Sequence, residues 1–143
     1  MSRVFKGLAE YIRESSIKNT TTWHFDETKF LCLKISSGCY MWVAVTGKHE
    51  LYPSALFFGA EGRANDEFLK IFGDIEEENV KVAIRNAVTD GHSAYPLGIK
   101  KLESYLKTLI RHAICLVHVR RLFLQAIEAF NLTTEYNVAS KAL

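Results

Sequence analysis

Three cysteines, two prolines and no apolar run approaching the roughly 18 residues that a membrane span needs are the shortages of this 143-residue chain. The cysteines, Cys32, Cys39 and Cys115, are odd in number and sparse, which excludes a disulfide framework and suits a reducing compartment. The N-terminus, MSRVFKGLAEYIRE, is amphipathic and charged where a signal peptide would be uninterruptedly apolar. A soluble, cytoplasmic protein with no membrane partner is therefore expected. Charge of one sign is also scarce: 18 Lys and Arg stand against 16 Asp and Glu, a net +2 that announces no nucleic-acid partner by itself. What is abundant is core-forming material, 48% hydrophobic with 12% aromatic, which excludes a disordered chain. At this length one domain is expected, and no internal repeat or linker is visible.

Apolar spacing orders the elements. Val4, Phe5, Leu8, Tyr11 and Ile12 share one side of a helix ending near Glu14 to Ser16, and the polar stretch from Asn19 to Thr22 breaks it. Trp23 to Ile35 is a strand entering a turn at Ser36 to Gly38; Cys39 to Val45 is a second, and Leu51 to Phe58 a third. Pro53 marks that third strand as an edge, or else as beginning after the proline. Asn65 is placed to cap a short helix carrying Phe68, Leu69, Ile71 and Phe72, stopped by Gly73, and Glu76 to Glu78 reads as a solvated run. Lys81 to Val88 is a fourth strand, and Leu102, Tyr105, Leu106, Leu109 and Ile110 have helical spacing. Ala113 to Val117 is a fifth, apolar strand; Leu122, Phe123, Ala126, Ile127 and Phe130 form a last helix before a polar tail.

A three-strand meander followed by alternating helices and strands requires a mixed sheet, antiparallel on one side and parallel on the other through right-handed crossovers. That α/β layout, five strands with helices on both faces, resembles the ribonuclease-H-like fold. Acidic residues interrupt apolar strands at two places, Asp26 within the first strand and Asp90 at the end of the fourth. The first and fourth strands are expected to be parallel neighbours, which brings these carboxylates side by side, and among apolar neighbours an unpaired one is expensive. Such a pair needs a cation, and magnesium, a hard ion held by one or two carboxylates plus phosphate, suits it and phosphoryl transfer. On spacing alone, a strand-end Asp26 and an Asp-Gly turn at Asp90 are as good a reading.

Four blocks narrow the choice: His24 to Thr28 (HFDET), Met41 to Val43 (MWV), Val88 to Tyr95 (VTDGHSAY) and Cys115 to Phe123 (CLVHVRRLF). Together, from Trp23 to Phe130, they resemble the DDE catalytic core of insertion-sequence-66 family transposases. The resemblance implies DNA strand cleavage and joining at transposon ends, with Asp26 and Asp90 as the first two catalytic, metal-binding acids. It further implies a two-ion Mg2+ or Mn2+ site, transposon-end and target DNA as partners, and self-association of the full enzyme. Cys115 and His118 match the family's Cys-x-x-His. Its third acid, a glutamate in an Asn- and Arg-rich block, has no counterpart before Leu143. The expected organisation is a lead-in helix over residues 1–20, an incomplete core over 21–131 and, over 132–143, a polar tail that begins the missing segment. The alternatives are a non-catalytic DNA-binding or oligomerisation remnant, or a compact nuclease with Glu128 as third acid, Glu135 being less well placed.

A zinc site would need a second pair beside Cys115 and His118, with Cys32 and Cys39 the obvious source; buried-strand flanks argue against it. Cysteine nucleophilicity is disfavoured because Cys115 has apolar neighbours on both sides. Between Leu97 and Arg121 six bases face the single acid Glu103, whereas Glu61 to Asp90 holds eight acids and four bases. Lys100, Lys101, Arg120 and Arg121, with His118, are the expected contacts to DNA phosphate, since lysine and arginine neutralise the backbone without reading sequence.

Overall fold

A computed structural model describes residues 3–30, 39–51, 53–73 and 81–130. Helix α1 spans Arg3–Asn19, followed by strands β1 Thr22–Phe30, β2 Cys39–Thr46 and β3 Ala55–Ala60. Helix α2, Asn65–Leu69, continues into a 3-10 turn at Lys70–Phe72; β4 Asn86–Thr89, α3 Ala94–Leu106, β5 Arg111–Ile114 and α4 Leu116–Phe130 complete the chain. The sheet order is β3-β2-β1-β4-β5, with β1, β2 and β3 antiparallel and β1, β4 and β5 parallel. This is the ribonuclease-H-like arrangement that the element order implied.

Strand pleating decides what the sheet buries. Trp23 and Phe25 on β1 share a face with Trp42 and Ala44 on β2 and Ala87 on β4, and all five are buried. Phe68, Ile71 and Phe72, then Tyr95, Ile99 and Leu102 of α3, complete this core, with Ile17 closing it from the end of α1. Phe68 is its hub, meeting Phe25, Tyr95 and Phe72 edge-on at centroid distances of 4.9, 5.5 and 5.8 Å. Such contacts add about 0.5–1.5 kcal/mol each to area burial. The two buried indoles keep their N–H groups satisfied, Trp23 on the Thr20 carbonyl and Trp42 on that of Gly62, each at 3.2 Å. On the opposite face, His24, Asp26, Val43, Val45 and Val88 line a recess with Cys115 and His118, so α4 begins on the side away from the other helices.

Several boundaries depart from the periodicity. β1 is described as far as Phe30; Leu31 to Gly38, the acids Glu76 to Glu78 and the tail from Asn131 lie outside the described residues. β3 begins two residues after Pro53 and is an edge strand, so the missing N–H breaks no ladder. The α2 cap is Ala64, not Asn65: Ala64 is extended and Asn65 is the first helical residue, with Asp66 and Glu67 meeting the positive end of the dipole. Residues 81–85 are not strand, because α1 and the turn after it take their amides: Ala83 N–H donates to the Ile17 carbonyl at 3.0 Å and Arg85 N–H to that of Thr21 at 2.8 Å. Only Asn86–Thr89 remain to pair, which fixes β5 opposite them at Arg111–Ile114 and leaves Leu116 and Val117 to α4. α3 starts well before Leu102 and carries Pro96 in its first turn, where a helix leaves N–H groups unpaired anyway. It ends at Lys107 in the left-handed conformation (φ 49°), so Leu109 falls outside it and is exposed.

α1 runs to Asn19, past the end near Glu14 to Ser16 that the spacing implied, and its apolar side is largely exposed. Val4, Phe5, Leu8, Tyr11 and Ile12 are exposed, because the helix is held through its C-terminal end, where Ser16, Ile17 and Thr20 are buried. α4 likewise exposes Leu116, Val117, Leu122 and Phe123. Among the described residues no helix is long and apolar enough to cross a membrane.

A Cβ on Gly98 of α3 would overlap Cδ1 of Phe68, a ring that the aromatic cluster fixes. Overpacking of this kind costs about 1–3 kcal/mol, more than the roughly 0.5–1 kcal/mol that alanine gains over glycine in a helix. Gly98→Ala should therefore lower the urea midpoint, and an unchanged or raised midpoint would show that α2 gives way freely.

His112, on β5, sits with Nε2 2.8 Å from the Thr89 hydroxyl, and burial holds its pKa below the ordinary 6.5. The unfolded chain then takes up the proton first, so the stability this neutral imidazole contributes is complete above about pH 6.5 and is lost as pH falls through the lower folded value. The gap in Tm between wild type and His112→Gln should shrink on acidification from neutral pH; a constant gap would contradict it.

Candidate functional site

Register leaves a notch in the sheet. β4 pairs with β1 only along Thr22 to His24, so from Phe25 onward β1 has β2 on one side and no strand on the other. Asp90, just past the end of β4, turns into that opening. Its Oδ1 accepts from the His92 N–H at 2.9 Å, an Asx turn that fixes the carboxylate before α3 starts. The notch lies where β1 is antiparallel to one neighbour and parallel to the other, at the carboxyl ends of the parallel strands, the usual position for a site in an open α/β sheet.

Three carboxylates meet there. One oxygen each from Asp26, Glu27 and Asp90 lies within 4.8 Å of the other two. Their environments differ. Asp26 faces away from the core and its side chain is 59% exposed, so the apolar confinement expected for it is absent; pleating, not local composition, decided its surroundings. Asp90 is 19% exposed and Glu27 1%. Glu27 shares the face of Trp42, and each of its oxygens has a partner: Oε1 the guanidinium of Arg63, Oε2 the hydroxyl of Tyr95.

Tyr95 stands in the first turn of α3 with its ring in the core, edge-on to Trp42 at 5.6 Å. Burial first, then the negative charges of Asp90 and Asp26, raise its pKa far above the ordinary phenol value, against a smaller opposing effect of Arg63. The hydroxyl therefore keeps its proton and donates. Arg63 comes from the segment between β3 and α2; its Nη2 also lies 3.6 Å from Asp90 Oδ2, and its guanidinium sits 5.7 Å from the centroid of the Tyr40 ring.

Of the other sequence-derived candidates, His118 is close. In the first turn of α4, its Nε2 is 3.8 Å from Asp26 Oδ1, while its N–H donates to the Cys115 carbonyl at 3.1 Å. Cys115 is half-buried at the junction of β5 and α4. No zinc-like set forms: among the described residues the one metal-ligating group is the three carboxylates, and Cys32 lies outside them. Glu128 is not brought in. It is exposed and ten residues beyond His118 on α4, about 15 Å along the axis at 1.5 Å per residue. Arg120 and Arg121 are exposed, Arg121 one turn from His118. Lys100 is exposed on α3, and Lys101 is ion-paired with Asp66 at 2.5 Å.

Glu27, Arg63 and Tyr95 were absent from the candidates read from sequence. Two of them had a signal: Glu27 follows Asp26 in HFDET, and Tyr95 closes VTDGHSAY. Arg63 had none, being a lone base on an irregular segment.

Among solved structures, the chain is similar to the HTLV-2 integrase catalytic core domain in complex with magnesium. The dimeric form has a TM-score of 0.48 at 16% identity, covering 89% of this chain and 86% of that one. The trimeric form has a TM-score of 0.45 at 16% identity, covering 87% and 82%. A simian T-cell lymphotropic virus intasome, in complex with PP2A regulatory subunit B56 gamma, scores 0.46 at 16% identity over 69% of this chain, which spans 33% of the matched chain. No curated protein matches. The model of the transposase IS66 family, in contrast, matches residues 1–143, from the lead-in helix through both aspartate blocks to the end, and by that match the chain belongs to the IS66 transposase family.

Proposed function

We propose that residues 21–131 form the two-aspartate part of a DDE catalytic core acting on transposon DNA, and that Asp26 and Asp90 are its metal-binding catalytic acids. The observation that carries this reading is the approach of these two carboxylates, far apart in sequence, at the notch between β1 and β4. Their fit to magnesium or manganese is chemical: hard oxygen donors, one side chain open to solvent and the other partly so, close enough to share an ion. A divalent ion bound there supplies Lewis acidity toward a phosphodiester and a clamp for its oxygens. The chain's own residues do the rest. Asp90 is oriented by the His92 amide, Asp26 is flanked by His118, and Arg120 and Arg121, on the same first turns of α4 as His118, offer charge to the DNA backbone. Arg121 is the best-placed of the basic candidates, and Lys101 the least because Asp66 already holds it.

The compact-nuclease reading has no geometric support, since Glu128 stands far along α4 and Glu27 is engaged by Tyr95 and Arg63. Asp26→Asn and Asp90→Asn should each weaken Mn2+ binding at least about tenfold by calorimetry, because each removes a charged ligand. The 143-residue chain alone should cleave DNA poorly with magnesium. Undiminished binding in both variants would end the metal reading; robust cleavage abolished by Glu128→Gln would establish the compact nuclease.

A second expectation concerns DNA. The isolated chain should bind duplex DNA weakly and without sequence preference, affinity falling with salt at a log-log slope of about −0.9 per neutralised phosphate. Arg120→Ala combined with Arg121→Ala should lower affinity and flatten that slope by about 1 to 2. An anisotropy titration showing no binding at low salt, or no change in the double variant, would assign DNA contact elsewhere.

A further inference from the structure

The acidic notch already contains a cation of the chain's own. Arg63 Nη2 contacts Glu27 Oε1 and lies 3.6 Å from Asp90 Oδ2, spanning the two strands whose acids converge. The two contacts are unequal. That to Glu27 joins the guanidinium to a carboxylate 99% removed from solvent, which can stay ionised there only if paired and hydrogen-bonded. That to Asp90 is beyond hydrogen-bond reach and is a charge contact only. Glu27 is itself fixed from the other side by the Tyr95 hydroxyl, whose ring the core locks against Trp42 and Phe68. The Arg63 Nε is buried with no hydrogen-bond partner among the described residues, so the side chain is held by its Nη2 contacts and by the Tyr40 ring, not by a full set of acceptors.

We infer that Arg63 is a positioning residue and a built-in counter-cation, pinned by Glu27 and Tyr95, which balances Asp90 in the metal-free protein and yields it when a divalent ion is bound. The inference rests on the metal reading of Asp26 and Asp90. It assigns Glu27, despite its ligand-like distance, to holding Arg63 and not to holding metal. Two cations cannot share one carboxylate without mutual repulsion at this range, so occupancy of Asp90 by metal and by Arg63 is competitive. The arrangement leaves the exposed Asp26 as the open ligand.

The full chain tests this in three ways. With Arg63→Gln, Mn2+ affinity by calorimetry should rise about tenfold as the competing charge is removed, Arg63→Lys should stay near wild type, and Lys70→Ala, which breaks only the surface pair with Glu67, should change nothing. In the wild type, the Arg63 Nε resonance, identified by its loss in Arg63→Lys, should shift on Mg2+ titration in step with saturation; this readout survives if Arg63→Gln does not fold. Without metal, the Tm losses of Arg63→Gln and Asp90→Asn should be less than additive in the double variant. Unchanged or weaker Mn2+ affinity in Arg63→Gln, or an Arg63 resonance indifferent to bound Mg2+, would overturn the inference. Wild type that binds neither ion would instead remove the metal reading, and the metal-free cycle would then decide the pairing alone, additive losses refuting it.

Discussion

A carboxylate driven into the end of a hydrophobic core, Glu27, is the constraint around which the notch is organised. Strand pleating leaves no alternative once Trp23 and Phe25 face inward, because every second residue of β1 must follow them. Glu27 is the third of that series, at 1% exposure, and an ionised group there without partners would cost several kcal/mol. Tyr95 and Arg63 supply the partners from two other segments. Each is thereby tied to β1: α3 through its first turn, and the connection from β3 to α2 through Arg63. The same alternation sends Asp26 to the opposite face and into solvent. One strand thus delivers two neighbouring acids to two different environments, one suited to anchoring and one to ligand exchange.

The notch exists because β4 is short. Four residues pair with β5 and only three of its positions face β1, after which the chain leaves the sheet at Asp90. Its late start follows from competition for backbone partners: the end of α1 and Thr21 take the amides of Ala83 and Arg85 before the ladder begins. The lead-in helix, which carries no candidate site residue, therefore helps to set where β4 begins. A central cluster of Phe68, Tyr95 and Trp42 then transmits core packing to the site, since the Tyr95 ring and hydroxyl belong to both.

Charge follows the same division. The acids at the notch are partly neutralised from within by Arg63, while the exposed bases of α4 lie beside it, on the turns that follow His118. A half-buried positive group thus stands among the acids, with further bases exposed nearby. The apolar sides of α1 and α4, by contrast, stay largely exposed among the described residues.

Element order and the approach of Asp26 to Asp90 were legible in the sequence, because strand alternation, helical spacing and turn residues are local properties and because β-β-β-α-β-α-β-α admits few unknotted right-handed arrangements. The family blocks were equally local, and the family match spans the same chain. Boundaries were not: the start of β4 and the place of β5 are set by which amides find partners across the sheet, a question that periodicity cannot pose. Nor was the burial of α1, since an amphipathic pattern states that a face is apolar and not that anything covers it. Glu27 and Tyr95 stood inside recognised blocks without a role, and Arg63 carried no signal at all. Their meeting joins β1, the segment after β3 and the start of α3, so only the tertiary structure could decide that a lone arginine on an irregular connection would sit between two acids.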